Sequence, residues 1–483
     1  MIHQSQADVL CKADVLCKQV EQIMQQFAVT AKASSGDFTL VEEAARQTIL
    51  KLRPVMMSAG IELSAASFQE EYACPKCHQR LHGWRMPART VMTAQGEGTY
   101  SPLRYRCSPC GKDYYPLEEA NGLSGSEFTT GAKAAIAEVA AERPFAHTAL
   151  SLGRERGLFV SAKEVDRTAR EVAEWRLEEE QRLTEAAFGT EAAVLRSEER
   201  DPMPQMPTLH TFQRWKPGEV AQISVDGAML RSTVRGPSPK DGLEWFECRA
   251  GIIAPVEERS RGETAYVGGV CSPDTLFDRL ASTWRRGGHE GRPCAFVSDG
   301  ARWIWDRVLL YFPEALQVLD IYHASEHVAS AATALFGDGT EKAALWRREA
   351  RRWLLEPGGV VSVLRMLISG LREPGPTVNV KNVDEVKKEI RYLWGHRHRM
   401  HYSDYKEQGF PVGSGAMESA IKQLSTQRMR QPGMKWSRPG ADALLRLRAA
   451  HLSGALDATV ARRHQSLQHA ARHTYIQQHA MAA

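Results

Sequence analysis

The spacing of apolar residues changes character several times along the chain. Over residues 19–60 they recur at helical intervals, with Val20, Ile23, Met24 and Phe27 on one face, which predicts an amphipathic helical region. Residues 72–115 lack that period. Residues 126–185 regain it and end in the charge-rich run REVAEWRLEEEQRL. Here a helix is expected to Glu142, a break at Pro144, a short helix over 146–153 and a turn at Gly157. A further helix follows, opened by Ser161 with Glu164 at the reciprocal capping position. Residues 201–219, DPMPQMPTLHTFQRWKPGE, carry four prolines and read as a linker and the main domain boundary.

Beyond the linker the pattern changes to strands. AQISVDGAML, WFECRAGIIAP and AYVGGV are short, β-branched and punctuated by glycine. Helix DTLFDRLASTWRR, strand CAFVSDG, helix ARWIWDRVLLYF, strand ALQVLDI and helix ASEHVASAATALF follow in turn. Three strands and then alternation predict a mixed sheet with crossover helices. Residues 340–400 read as helical and hold Trp346, Arg347, Arg348, Arg351, Arg352, Trp353 and Trp394, open between nucleic-acid contact and helix packing. Helix resumes over 415–450.

The fold class expected is therefore multidomain α+β. Its parts are an N-terminal helical region (1–70), a cysteine-bearing segment (71–120), a second helical region (121–200), the linker (201–219), a mixed α/β region (220–335), helices over 336–410, a further segment with helix (411–455), and a His/Gln/Ala-rich tail (456–483). The hexamer ADVLCK stands in tandem at 7–12 and 13–18. With no continuation it reads as a local duplication.

Composition narrows the function classes. With 483 residues, 43 % hydrophobic and 25 % charged, the chain suits a globular protein of several cores. No apolar run approaches the ~18 residues that span a bilayer, and the first twenty residues lack the order of a secretory signal. A cytoplasmic location is the expectation. Nine cysteines, an odd number, do not suggest a disulfide framework. The net charge of +4 says little about partners, but residues 421–450 hold seven Lys or Arg against Asp442 alone.

Four cysteines stand apart from the rest. Cys74-Pro-Lys-Cys77 and Cys107-Ser-Pro-Cys110 form two C-x2-C knuckles, which in a reducing compartment read as a structural Zn²⁺ ribbon, although the loop between them exceeds the common template. Cys11, Cys17, Cys248, Cys271 and Cys294 read as packing residues. The helical pair before the linker has a helix-turn-helix outline whose last helix would offer Lys163, Arg167 and Arg170 to a DNA major groove. Simple helix packing or dimerisation remains the alternative there.

Three carboxylates suggest metal chemistry. Asp226 follows QISV, Asp299 follows AFVS, and Glu418 lies just inside a helix opened by Gly-Ser-Gly. Each Asp-Gly alone suits a hairpin turn. As a set at the end of one sheet the three would suit two Mg²⁺ or Mn²⁺ ions, which activate a hydroxyl and stabilise a leaving 3′ oxygen. Beyond Glu418, Arg428, Arg430, Lys435, Trp436 and Arg438 would neutralise phosphates and stack on a base, or be surface and core residues.

The segments SVDGAML, VSDGARWIW, LDIYHASEH and GSGAMESAIKQLSTQRMRQPGMKWS resemble the DDE transposases of bacterial insertion sequences. The likeness covers about 70–450, and its most specific part runs from GSGAMES to GMKWS. It implies an RNase H-like core, Asp226, Asp299 and Glu418 as the triad, a helical insertion before the Glu, and a zinc-ribbon-like segment. It also implies double-stranded DNA partners (terminal inverted repeats and target), a homodimer or higher oligomer on DNA, and a nucleoid-associated location. Asp320-Ile-Tyr-His323 resembles the C/D-x-x-H signature of Mutator-like relatives, which places both residues beside the triad. Alternatives are an inactive transposase-derived DNA-binding regulator and, from His323-Ala-Ser-Glu326-His327, a zinc metalloprotease with Glu418 as third ligand.

Overall fold

The computed structural model describes residues 6–66, 71–188, 220–236, 242–256, 264–372 and 380–480, so the expected linker lies outside the described residues. The chain forms two compact units, Met1–Arg176 with Gly454–Ala483, and Leu177–Ser453. Both helices and sheets are present, so the fold is multidomain α+β.

In the first unit, α1 (Gln6–Ala33) and α2 (Phe38–Ala66) pack on each other, and the ADVLCK duplication lies within α1. Asp37 opens α2 by accepting from Thr39 N at 2.9 Å. Next come β1 (Glu71–Ala73), β2 (Arg80–Arg85), a hairpin of β3 (Arg89–Thr93) and β4 (Gly96–Tyr100), then β5 (Leu103–Cys107) and β6 (Lys112–Tyr114). The antiparallel sheet runs β1-β2-β5-β6, with the β3–β4 hairpin inserted between its halves. That hairpin accounts for the long loop between the cysteine knuckles.

After the short α3 (Pro116–Ala120), α4 (Thr130–Glu142) stops two residues before Pro144, because the α conformation is disfavoured at Arg143, which is extended. Helix α5 (Phe145–Arg156) ends at Gly157 in the left-handed conformation, φ 66°, with Leu158 N returning to Leu152 O. The start of α6 (Ala162–Phe188) carries the expected capping box: Ser161 N donates to Glu164 at 2.7 Å and Glu164 N to Ser161 Oγ at 3.2 Å.

The second unit is built on a five-stranded sheet of β7 (Ala221–Arg235), β8 (Leu243–Pro255), β9 (Ala265–Gly269), β10 (Cys294–Ser298) and β11 (Leu316–Leu319). Its order is β11-β10-β7-β8-β9. β7, β8 and β9 are antiparallel, whereas β10 runs parallel to both β7 and β11. α7 (Pro273–Arg286) carries the chain across to β10, α8 (Arg302–Tyr311) connects β10 to β11, and α9 (Ile321–Phe336) leaves β11.

Alternation along β10 divides the core. Phe296 joins Ile223, Phe277, Leu280 and Trp305 under α7 and α8, while Ala295 and Val297 face the opposite layer. That layer contains α9 together with α10 (Glu341–Leu355), α11 (Gly359–Arg372), α12 (Val380–His396) and α13 (Tyr402–Glu407). The helices of residues 336–410 thus share one hydrophobic core with the sheet. Trp346, 8 % exposed, belongs to that core, which settles it as a packing residue.

The helix expected over 415–450 is interrupted. It consists of α14 (Gly415–Ile421), a π turn over Lys422–Thr426, α15 (Gln427–Met429) and, after a break at Pro432-Gly433, α16 (Arg438–Leu452). Gly433 sits at φ 80°, where a Cβ would be strained. The last helix, α17 (Leu456–Ala480), packs against α3 and α4 of the first unit.

Candidate active site and thiol cluster

Asp226 is not at a turn. β7 continues to Arg235, and Asp226 pairs with Ala250 of β8. What ends near it is the other neighbour: β10 matches Ile223 to Phe296 and stops at Ser298, whose hydroxyl donates to Val225 O at 2.9 Å. Asp299, the next residue, follows the end of β10 and is brought near Asp226, which lies within β7 just past the stretch that pairs with β10. The chain leaves β7 toward β8 on one side and returns to β10 on the other, a switch point where open sheets present a crevice.

The electrostatics agree with that placement. Burial raises the Asp226 pKa above the ordinary carboxylate range; the Gly227 amide, donating at 2.7 Å, opposes the shift. The charges of Asp299 and Glu247 raise it further, and His323 lowers it. Asp299 is anchored by the Ala301 amide at 3.0 Å. Glu247 is a fourth acid that sequence reasoning missed; it lies on β8, and its Oε1 would stand 2.4 Å from a Cβ placed on Gly227. Nothing in the sequence marks it, because the register of β8 on β7 decides its position.

Desolvation beside a like charge gives a sign to stability. A carboxyl whose folded-state pKa lies above its unfolded value stabilises the fold fully at low pH. That contribution is lost as pH rises through the folded value. Asp226→Asn is therefore expected to raise the Tm of the metal-free protein at neutral pH, by roughly 2–4 °C for each kcal/mol relieved. Added Mg²⁺ should raise the Tm of the wild type and leave the variant unmoved. A variant less stable than wild type in EDTA contradicts this account.

Asp320 is 7 % exposed and acts as a latch. It caps α9 by accepting from Tyr322 N at 3.2 Å, and it accepts from Ser414 N at 3.0 Å and Ser414 Oγ at 2.8 Å. Ile321 N donates to Val412 O at 3.0 Å, and Gln222 of β7 donates to Gly413 O at 3.2 Å. Gly413 is fitted under Tyr322, whose ring would stand 2.9 Å from an added Cβ. The turn that opens α14 is thus tied to β7 and to the start of α9. α14 packs against β7 and β8, and Glu418 stands exposed on it. Glu418 is not among the groups that dominate the field at Asp226.

Removing the latch has a calculable cost. Asp320→Ala loses a cap of about 1 kcal/mol and two further hydrogen bonds of about 1 kcal/mol each. A destabilisation of about 2–3 kcal/mol is expected in urea unfolding, with the slope unchanged. Ser414→Ala should cost about a third of that, since Ser414 N remains. A change below about 0.5 kcal/mol for Asp320→Ala, the ordinary range of a neutral surface substitution, rules the latch out.

His323 faces His327, their Nε2 atoms 3.2 Å apart. His327 Nδ1 is hydrogen-bonded to the carboxylate of Glu389, and its ring stacks on Tyr392 at 3.7 Å. Among the described residues this pair belongs to no group of three or more metal-ligating side chains whose ligand atoms converge.

The four cysteines do converge. Their sulfurs lie within 4.8 Å of one another, and no other such group of three or more ligands occurs among the described residues. Cys77 and Cys107 are 3.4 Å apart and Cys74 and Cys110 3.8 Å, close to the edge of a tetrahedron with Zn–S of about 2.3 Å. Burial opposes ionisation of Cys74, yet Tyr114 Oη and the Cys77 and Lys76 amides together bring its pKa down to about 6. The donor set fits structural zinc. Among the other cysteines, Cys248 and Cys294 are buried as expected, but Cys17 is exposed and Cys11 carries no described side chain.

The basic residues divide. Lys163 and Arg167 are exposed on α6, and Arg170 is held by Asp166 at 2.9 Å. Arg430 and Lys435 are exposed, while Arg438 pairs with Glu244 at 2.5 Å. Two expectations are corrected. Arg428 is 1 % exposed, and burial with the Arg448 charge lowers its pKa to about 10. Trp436 is 9 % exposed and donates from Nε1 to Met429 O at 2.8 Å. Its backbone also bonds to Arg231 and Thr233, so the segment extends the sheet rather than offering a ring and a charge to DNA.

A profile of an uncharacterised protein family (UPF0236) matches residues 290–466, a span that includes Asp299, Asp320, Glu389 and Glu418 and begins after Asp226. No curated protein matches. Among solved structures, the Drosophila P element transposase strand transfer complex aligns with 71 % of this chain and 83 % of that chain, at 11 % identity and a TM-score of 0.23. A superposition of that quality carries no inference about fold or activity. Among the described residues no helix is long and apolar enough to cross a membrane. The chain is thus similar over its C-terminal part to a family with no assigned activity.

Proposed function

We propose that this protein is a DNA transposase with an RNase H-like catalytic core and a DDE triad of Asp226, Asp299 and Glu418. The observation that carries the reading is the pair of neighbouring acids just past the parallel pairing of β10 with β7, Asp226 raised in pKa by burial and by Asp299. The sheet order β11-β10-β7-β8-β9, with an antiparallel half and a parallel half, is the arrangement such a core requires. Support for Glu418 is indirect. Its helix begins at a turn anchored to β7 and to Asp320, and packs against β7 and β8.

Asp226, Asp299 and Glu418 would hold two Mg²⁺ or Mn²⁺ ions, which when bound activate a hydroxyl nucleophile and stabilise a leaving 3′ oxygen. The chain's own part is to cluster the acids against their repulsion, with α14 held by Asp320 and His323 kept close to Asp226. The four cysteines would hold one structural Zn²⁺. Double-stranded DNA, as element ends and target, would meet Lys163, Arg167 and Arg170 on α6 of the first unit, and Arg430, Lys435 and Arg438 on the second. Holding two element ends calls for a dimer or higher oligomer.

The test is cleavage of a labelled element-end duplex in Mg²⁺ and in EDTA. Metal-dependent nicking by the wild type that Asp226→Asn, Asp299→Asn and Glu418→Gln each remove supports the reading. Binding without cleavage under any divalent metal would leave a DNA-binding regulator instead.

A further inference from the structure

We infer that Glu389 and His327 are positioning residues for His323, forming a carboxylate–imidazole–imidazole chain packed on Tyr392, whose hydroxyl lies against Gly300 next to Asp299. The inference rests on the transposase reading for what His323 serves, and on geometry for the chain itself. Glu389 is 4 % exposed and lies on α12, in the helical segment that interrupts the core. A carboxylate that buried requires a partner, and His327 Nδ1 supplies it.

With its Nδ1–H given to Glu389, His327 has only the Nε2 lone pair left. With His327 neutral, His323 Nε2, 3.2 Å away, carries the proton of that contact. His323 is then the Nε2–H tautomer, with its Nδ1 3.8 Å from the exposed Glu326 carboxylate. The second imidazole is itself clamped. Tyr392 stacks on His327 at 3.7 Å and meets His323 edge-on at 6.0 Å. The Tyr392 hydroxyl in turn fits against Gly300, where it fills the space an added Cβ would need. Gly300 directly follows Asp299. One helix of the inserted segment therefore touches both sides of the proposed centre: α12 contacts the Asp299 turn through Tyr392, and orients His323 through Glu389 and His327.

The segment between the second Asp and the Glu is then more than a spacer. It makes the orientation of the His323 imidazole depend on α12 being docked. Glu389 and His327 are 62 residues apart in sequence, which is why no motif contains them both.

The test combines cleavage rates with imidazole spectroscopy. Glu389→Ala is expected to slow end cleavage at least about tenfold, with duplex affinity unchanged. Glu389→Gln, which keeps an acceptor oxygen, should recover part of that loss. Neither change should slow a His323→Ala protein further, since residues acting through one group are not additive. Long-range ¹⁵N correlation spectra should show His327 protonated at Nδ1 in the wild type and a mixture of tautomers in Glu389→Gln. Equal slowing in the His323→Ala background, loss of duplex binding in parallel with cleavage, or unchanged imidazole spectra would each overturn the inference. Should Glu389→Ala fail to fold, the isosteric Gln variant carries both measurements. If Asp226→Asn cleaves like the wild type, the transposase reading falls, while the spectra still decide the hydrogen-bonded chain.

Discussion

Asp299→Asn is expected to lower metal-dependent end cleavage by at least about 10³-fold. A bound cation contributes several kcal/mol of charge stabilisation to such a reaction, and each 1.36 kcal/mol is a factor of ten in rate. The amide keeps an oxygen that can still accept from Ala301 N, so the turn after β10 should survive. What disappears is one negative charge from a pair whose mutual repulsion raises the pKa of Asp226. Two measurements separate charge from structure. Duplex affinity should stay within about twofold of the wild type, as phosphate contacts made elsewhere set it. Mg²⁺ should no longer protect the variant against thermal unfolding. Cleavage within about tenfold of the wild type would remove Asp299 from the metal-binding set, and cleavage persisting in EDTA would remove the metal.

The second large effect concerns the first unit. Chelation of zinc, or Cys107→Ser, is expected to unfold the β1-β2-β5-β6 sheet. The cluster under that sheet has six buried members (Tyr72, Cys74, Leu81, Leu103, Tyr105 and Cys107), and two of them are the thiols themselves. A core of that size does not fold alone, and such modules depend on a metal or a disulfide. Structural zinc binding supplies about 10–16 kcal/mol at pH 7, which the folded ribbon then holds as stability. Metal analysis should return one zinc per chain, and chelation should release it together with a cooperative loss of ribbon structure. If zinc-free protein keeps the same melting curve and the same protected thiols, the cluster is four free cysteines and the ribbon holds by itself.

Both predictions draw on features that differ in how readable they were. The helix stop at Pro144, the turn at Gly157 and the Ser161–Glu164 capping box were visible because their causes lie within four residues of one another. The same holds for each C-x2-C knuckle, and for the strand and helix pattern after residue 220. Asp226-Gly227 alone suits a hairpin turn, yet pairing with β8 carries β7 straight through it, in line with the strand read over AQISVDGAML. The run from Arg428 to Arg438 misled. Its composition suggested a basic surface, but the Trp436 backbone joins β7 and draws Arg428 and Trp436 inside.

By itself, then, the sequence determined the secondary structure of most described segments, the two thiol knuckles and the presence of acids on or just after strands, because these follow from residues a turn or a pleat apart. Only the tertiary structure decided which acids stand together and what orients them. Asp320 reaches Ser414 across 94 positions, His327 reaches Glu389 across 62, and Glu247 arrives against Gly227, next to Asp226 in the chain, through strand register. Such meetings depend on the path of the chain through space, and on the desolvation that packing imposes on charges, neither of which is written in local periodicity.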